Sequence, residues 1–259
     1  SKENKKVDLK GKLEFQNVSF SYPDTGLVGM DNISFQINPG ESLGVIGSTG
    51  SGKSTIANSI LRLFDIKSGK ILVDGINIKN LDISFFRKQI GYVPQDVFLF
   101  SDTIKNNILF GCESSDFRKV EKAAEDADLI RNIDSFPNKY DTMIGERGIT
   151  LSGGQKQRIS IARAIIKEPK ILILDDCLSA VDTNTENIIL ENLKKIMVDR
   201  TTIVISHRIS SVKLAKQILV IEEGKVIEKG SHKELIKMEG HYHKLYIKQI
   251  EEEKMLKIS

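Results

Sequence analysis

A chain of 259 residues lies near the upper limit for one hydrophobic core, so one domain with subdomains is expected rather than two independent folds. Its 40% hydrophobic and 28% charged residues are those of an ordinary globular protein. The formal charge of +3 is too small to argue for nucleic acid as an obligate partner, and acids and bases mix along the chain as on a solvated surface.

Two cysteines, Cys112 and Cys177, make no disulfide framework, and no CxxC suggests zinc, so a reducing compartment is expected. The start, Ser1 to Lys6, is polar and lacks the apolar region of a signal peptide. No apolar run approaches bilayer length, and the chain itself is expected to be soluble.

In chain order, residues 1–10 form a charged lead-in, expected to be flexible, and Gly11 begins the structured part. Lys12 to Pro23 alternates apolar and polar residues, as does Met30 to Glu41, which predicts two half-buried antiparallel strands. Ser42 to Gly47 is a more apolar strand, with helical spacing over Ser54 to Phe64. Gly69 to Ile78 reads as a hairpin. Helical stretches such as Phe117 to Ile130 fill the middle, and Ser152 to Lys167 reads as a helix with Ser152 as N-cap. The final third alternates: strand 170–174, helix 184–197, strand 201–205, helix 209–215, strand 217–221, a hairpin to Gly230 and a charged C-terminal helix. Alternating strand and helix predicts a parallel α/β sheet.

Gly47 to Thr55 reads GSTGSGKST, between a buried strand and a helix, and satisfies G-x-x-x-x-G-K-[ST] in the context that motif requires. Gly47, Gly50 and Gly52 let the backbone of Gly47, Ser48, Thr49, Gly50, Ser51, Gly52, Lys53, Ser54 and Thr55 wrap around phosphate oxygens, helped by the positive end of the helix. Lys53 is placed to reach the β- and γ-phosphates and Ser54 to ligate Mg²⁺. A second clue is Ile171-Leu-Ile-Leu-Asp-Asp176. An apolar strand that ends in two carboxylates demands a cation, because a buried unpaired carboxylate is costly. Asp175 fits the role of the aspartate that holds the metal through water, so the cation is Mg²⁺ carried by a nucleotide. Cys177, next in line, reads as a small buried filler rather than a nucleophile.

Leu151 to Arg158 reads LSGGQKQR, a helix start with bare backbone donors and so a second anion site. With the phosphate loop, it resembles the nucleotide-binding domain of an ATP-binding-cassette (ABC) transporter, over about Phe15 to about Gly240. The resemblance implies an α/β, P-loop NTPase (RecA-like) core, an antiparallel β subdomain and an α-helical signature subdomain at about 97–160, with 1–10 a linker remnant and 11–259 the domain. It also implies head-to-tail pairing with a second such domain, whose phosphate site is completed by Ser152, Gly153, Gly154 and Gln155. Position by position, Tyr22 looks like the aromatic stacked on adenine. Gln95 looks like the residue touching Mg²⁺ and the attacking water, His207 like the switch histidine at the γ-phosphate, and Asp182 like the acid that crosses to the partner. Glu146-Arg147-Gly148 and the segment around Phe98, Leu99 and Phe100 resemble exporter-type surfaces that receive coupling helices of a transmembrane domain; a buried hairpin is the alternative for the latter.

Asp176 departs from the family pattern, which has glutamate there to polarise the attacking water. Aspartate falls short by about 1–1.5 Å, and a misplacement of that size costs on the order of a hundredfold in rate. The intrinsic difference in acidity, about 3.9 against about 4.3, is minor beside that. Aspartate here resembles the degenerate subunit of a heterodimeric exporter, although His207 and the signature are retained. The expectation is an ATPase on the cytoplasmic face of the cell's inner membrane, powering export through separate transmembrane helices, as a heterodimer or a slow homodimer. The alternatives are a nucleotide-gated clamp with negligible turnover and a non-transport ABC ATPase. The intervening segment lacks the sustained heptads of DNA-repair relatives, and the single cassette is unlike translation-type members.

Overall fold

A computed structural model describes residues 4–112, 116–145, 149–178 and 183–256. Along the chain, β1 (Leu13–Ser21) and β2 (Val28–Ile37) form an antiparallel pair, followed by β3 (Ser42–Gly47) and α1 (Lys53–Ile60). A hairpin of β4 (Ser68–Val73) and β5 (Ile76–Asn77) leads through α2 (Ile83–Lys88) to β6 (Ile90–Val93). The helical region holds α3 (Ile104–Leu109), α4 (Phe117–Asp126), α5 (Ile130–Ser135) and α6 (Gly153–Ile165). Then follow β7 (Ile171–Asp175), α7 (Thr183–Met197), β8 (Thr201–Ile205), α8 (Ile209–Val212), β9 (Gln217–Glu222) and β10 (Lys225–Gly230). The last described helices are α9 (His232–Lys237) and α10 (His241–Leu256).

Among the described residues the strands form two sheets. One is antiparallel in the order β2-β1-β4-β5; the other runs β10-β9-β3-β8-β7-β6, parallel except for the β9–β10 hairpin. The central strands β3, β8 and β7 of the larger sheet are buried on both faces, as their continuous apolar runs require. In β7, Ile171 and Ile173 enter the core shared with the antiparallel sheet and α1, whereas Leu172 and Leu174 enter the core shared with the helices. Gly44, within β3, is where α8 settles on the sheet: a Cβ there would lie 3.0 Å from both the Cβ and the carbonyl oxygen of Val212.

Several elements differ from the sequence expectations, each for a local reason. Helix α1 stops at Ile60 instead of Phe64 because Arg62 turns into the left-handed region (φ 51°) and the Leu63 N–H closes back on the Asn58 carbonyl. The stretch 117–130 is broken at Asp128 (φ 55°) into α4 and the start of α5. Strand β6 escaped the sequence reading; four residues containing a glycine give too short a pattern. Residues 4–10, expected to be flexible, are pinned. The Asp74 carboxylate accepts from the backbone N–H groups of Lys10 (2.8 Å) and Lys12 (2.9 Å), and Gln89 brackets the strap by accepting from Leu9 N–H and donating to the Val7 carbonyl. Leu9 is buried beneath it.

Candidate nucleotide site

The carboxyl ends of parallel strands are where open α/β sheets bind ligands. Here β3 ends in the glycine loop, β7 ends at Asp175, β8 ends two residues before His207, and β6 ends two before Gln95. A cleft of about 330 Å³ opens at these ends. Tyr22, Thr49, Gly50, Gly52, Lys53, Ser54, Thr55, Gln95, Asp175, Asp176 and His207 line it, which brings together most of the residues chosen from sequence. Its size and mixed lining suit a nucleotide.

The loop takes its shape from what stands behind it. Gly52 has φ 100°, and a Cβ there would lie 2.0 Å from the Gly29 carbonyl oxygen. At Gly47 a Cβ would lie 2.1 Å from the Ile221 carbonyl oxygen. Only glycine fits either place. The turn between β9 and β10 braces the loop further, since Gly224 N–H donates to Ser51 O and the Asp31 N–H on β2 donates to Gly224 O. The Lys53 ammonium donates to the carbonyls of Gly47 (2.9 Å) and Ser48 (2.6 Å), which holds its charge across the loop mouth. Burial lowers its pKa from the usual lysine value, opposed by the charges of Asp176 and Asp175.

The Ser54 hydroxyl donates to Asp175 Oδ1 at 3.0 Å, so two hard oxygen ligands already converge. Burial, and then the neighbouring Asp176, push the Asp175 carboxyl up to about 6, although the Ser54 hydrogen bond and Lys53 act against it. Asp175 is 2% exposed. A buried carboxyl so poor in compensating charge fits a divalent cation. Among the described residues, no group of three or more His, Cys, Asp or Glu could hold a metal alone. A magnesium ion here would arrive with the phosphates, as oxygen-lined nucleotide sites require.

Asp176 has φ 46°, in the left-handed region that aspartate tolerates better than most residues. Its carboxylate folds back on the turn after β8: His207 Nδ1 lies 2.9 and 3.0 Å from its two oxygens, and the Ser206 hydroxyl donates to Oδ1 at 3.2 Å. Next to it Cys177 is buried, and burial pushes its thiol far up, which agrees with a filler and not a nucleophile. Tyr22 stands at the other end of the cleft, edge-on to Phe20 and Phe64, with its hydroxyl 2.9 Å from Thr55 Oγ1. Beside it Leu27 and Val28 are 66% and 53% exposed and form an apolar ledge in the cleft wall. The sequence reading passed over this pair, whose signal is two large aliphatics directly after a Pro-Asp-Thr-Gly turn.

Among the described residues lining the cleft, none belongs to Ser152–Gln155. These sit at the start of α6 in a complete capping box: Ser152 Oγ accepts from Gln155 N–H, and Gln155 Oε1 accepts from Ser152 N–H at 2.9 Å. Phe98 is 67% exposed and Phe100 is at the surface too, so the buried hairpin is excluded. Arg163 explains why: its guanidinium donates to the Phe98 carbonyl, the Asn107 carbonyl and Asn107 Oδ1, holding the backbone from beneath, and lies against the rings of Phe100 and Phe110. Leu99 is half-buried against the core. Asp182 and Glu146–Gly148 lie outside the described residues.

Comparison with known proteins gives a consistent picture. A protein family described as "ABC transporter" matches residues 30–179, more than half of the chain. ATP-binding cassette sub-family B member 6 of Xenopus tropicalis is 48% identical across 92% of this chain and 28% of its own length. The ATP-dependent lipid A-core flippase of Photobacterium profundum is 45% identical, across 92% of this chain and 41% of its own. A solved structure of a bacterial Atm1-family ABC exporter with ATP bound superposes with a TM-score of 0.89 at 40% identity, covering 93% of this chain and 42% of that one. The chain thus spans less than half the length of each of these relatives.

Proposed function

Because the chain belongs to the ABC transporter family, as a nucleotide-binding domain of the exporter-like kind, we propose that it binds Mg²⁺-ATP, closes head to tail on a second such domain, and hydrolyses the nucleotide to drive export through transmembrane helices. The observation that carries this reading is the division of the two anion sites. The glycine loop lines the cleft with Asp175, Asp176, Gln95 and His207, while Ser152–Gln155 are absent from its described lining. A helix start so exposed has its unused N–H donors available to a γ-phosphate held by another copy or a paralogous partner.

In this scheme Tyr22 and the Leu27–Val28 ledge receive the adenine, and the backbone of Gly47 to Thr55 with Lys53 receives the phosphates. Ser54, Asp175 and Gln95 hold magnesium, which supplies charge stabilisation to the phosphate oxygens. Gln95 orients the water and Asp176 accepts its proton. His207, held by Asp176 through Nδ1, has Nε2 left as its second hydrogen-bonding atom for the γ-phosphate. Asp182 reaches the partner domain. The exposed Phe98–Phe100 segment and Glu146–Gly148 receive coupling helices at the cytoplasmic membrane face. The substrate belongs to the transmembrane part, and the printed names of the relatives do not choose one.

The position of Asp176 favours a slow site. Its carboxylate is engaged by His207 and Ser206 and lacks the methylene that would carry it outward by about 1–1.5 Å. A heterodimer whose partner carries glutamate follows naturally. Mg²⁺-ATP hydrolysis measured against protein concentration, for the chain and for Asp176→Glu, tests the scheme. Slow turnover by the chain and a large, more than linear rise for the glutamate variant are expected. Brisk turnover by the unaltered chain makes Asp176 a working base and a homodimer the better account. No nucleotide binding at all would sink the proposal.

A further inference from the structure

Helix α10 carries a stripe of Tyr242, Leu245, Tyr246 and Gln249, spaced i, i+3, i+4 and i+7 on one face. Tyr242 is fully buried, its hydroxyl 2.8 Å from His232 Nδ1, and Leu245 and Tyr246 pack against the helical core. Gln249, next on this stripe, is half-buried, and its partly desolvated amide gains from hydrogen-bond partners. Gln249 finds both of them on the turn that carries the switch histidine. Its Nε2 donates to the His207 carbonyl at 2.7 Å, and its Oε1 accepts from the Ile209 N–H at 2.8 Å.

These two hydrogen bonds add to one local support, the Ser206 Oγ that accepts from the Arg208 N–H at 3.0 Å. Helix α8 begins at Ile209, and its N-cap, Arg208, makes no side-chain cap of its own. An uncapped helix start leaves backbone donors seeking acceptors. Gln249 supplies one from 40 residues away. The rest of the turn is held by buried Glu186 on α7, whose carboxylate accepts from Arg208 Nη1, the Ser210 hydroxyl (2.7 Å) and the Ser211 hydroxyl (3.4 Å). Glu186 thus fixes side chains on either side of Ile209, whereas Gln249 fixes the backbone of His207 itself.

We infer that Gln249 is a positioning residue for His207: the C-terminal helix latches the switch turn through one amide, so that the imidazole is held against Asp176. The inference rests on the proposed ATP hydrolysis for its catalytic consequence, but the latch exists without nucleotide and is measurable without it.

The test compares the chain with Gln249→Ala, Gln249→Glu and, as a neighbouring surface control, Lys248→Ala. Amide hydrogen exchange by NMR, without nucleotide, reads the Ile209 N–H. It is expected to exchange about tenfold faster in Gln249→Ala, the effect of one lost hydrogen bond, and to stay protected in Gln249→Glu, which keeps an acceptor. With Mg²⁺-ATP, kcat is expected to fall about three- to tenfold in both Gln249 variants, because neither can donate to the His207 carbonyl, with KM for ATP within about twofold of the unaltered chain. Lys248→Ala is expected to change neither. Unchanged Ile209 exchange in Gln249→Ala overturns the latch. An unaltered kcat in either Gln249 variant, or a fall in kcat matched by an equal rise in KM, overturns its positioning role. If the unaltered chain itself does not turn over, the proposed hydrolysis fails instead, and the exchange rates alone decide whether the latch holds the turn.

Discussion

Nδ1 of His207 sits almost equidistant from both carboxylate oxygens of Asp176, at 2.9 and 3.0 Å. A proton on Nδ1 is therefore shared between two acceptors of one group, and the ring is fixed with respect to the residue that follows Asp175. Removing the imidazole leaves the Asp176 carboxylate with Ser206 alone of these two side chains. His207→Ala is expected to lower ATP turnover by on the order of a hundredfold, the usual scale for a positioned proton-handling or charge-stabilising group. ATP binding, followed by calorimetry, should change far less than turnover, because His207 adds one contact at the γ-phosphate while the Gly47–Thr55 backbone and Lys53 carry the rest.

Gly52 makes the opposite kind of prediction, one of binding. A methyl group at this position meets the Gly29 carbonyl oxygen at 2.0 Å and must also adopt φ 100°. Neither backbone can give way cheaply, since Gly29 belongs to β2 and Gly52 precedes α1. Gly52→Ala is expected to abolish measurable ATP binding and to cost about 1–3 kcal/mol of stability, the range for overpacking a tight contact. Calorimetric titration with Mg²⁺-ATP and thermal unfolding check the two halves separately.

A third prediction concerns pH and the base of α10. Burial, and then the charge of Lys213, lower the pKa of His232 from its ordinary value of 6.5. The folded state therefore holds that proton less well than the unfolded chain. The sign follows: this stabilising contribution is present above 6.5 and is lost as pH falls below it, because the unfolded state alone gains the proton first. The stability of the chain relative to His232→Gln is expected to decline between about pH 7.5 and about pH 5.5. Paired thermal melts measure it, and a difference that grows on acidification would falsify the assignment.

What the sequence disclosed and what it withheld divide along a physical line. The glycine loop, Ser152 and Asp175 were legible because the chemistry of each is written within a few adjacent residues: a turn, a cap, a strand end. The same holds for the doubly buried strand Ile171–Asp175, whose lack of alternation already implied two covered faces. Residues that act across the chain were not legible. The pinning of residues 4–10 depends on Asp74 and Gln89, each more than 60 positions away. Gln249 meets His207 at a separation of 42. An amide in an otherwise apolar helical stripe was the one visible hint, and it does not say which backbone it will find. The outward rings of Phe98 and Phe100 were likewise decided by Arg163, from the far end of α6.

Gly44 differs from the loop glycines in having an ordinary backbone, and what matters at its position is thickness. A side chain there would press on Val212 at 3.0 Å and on the Cβ of Ala215 at 3.3 Å, lifting α8 off the sheet by a few tenths of an ångström. The sheet at Val212 and α10 at His207 and Ile209 hold the segment 207–212 towards its two ends. A one-carbon spacer beneath β3 would therefore act as a shim under a bearing. Its effect would be felt as misalignment at His207 and Gln249, well away from the atom that was added.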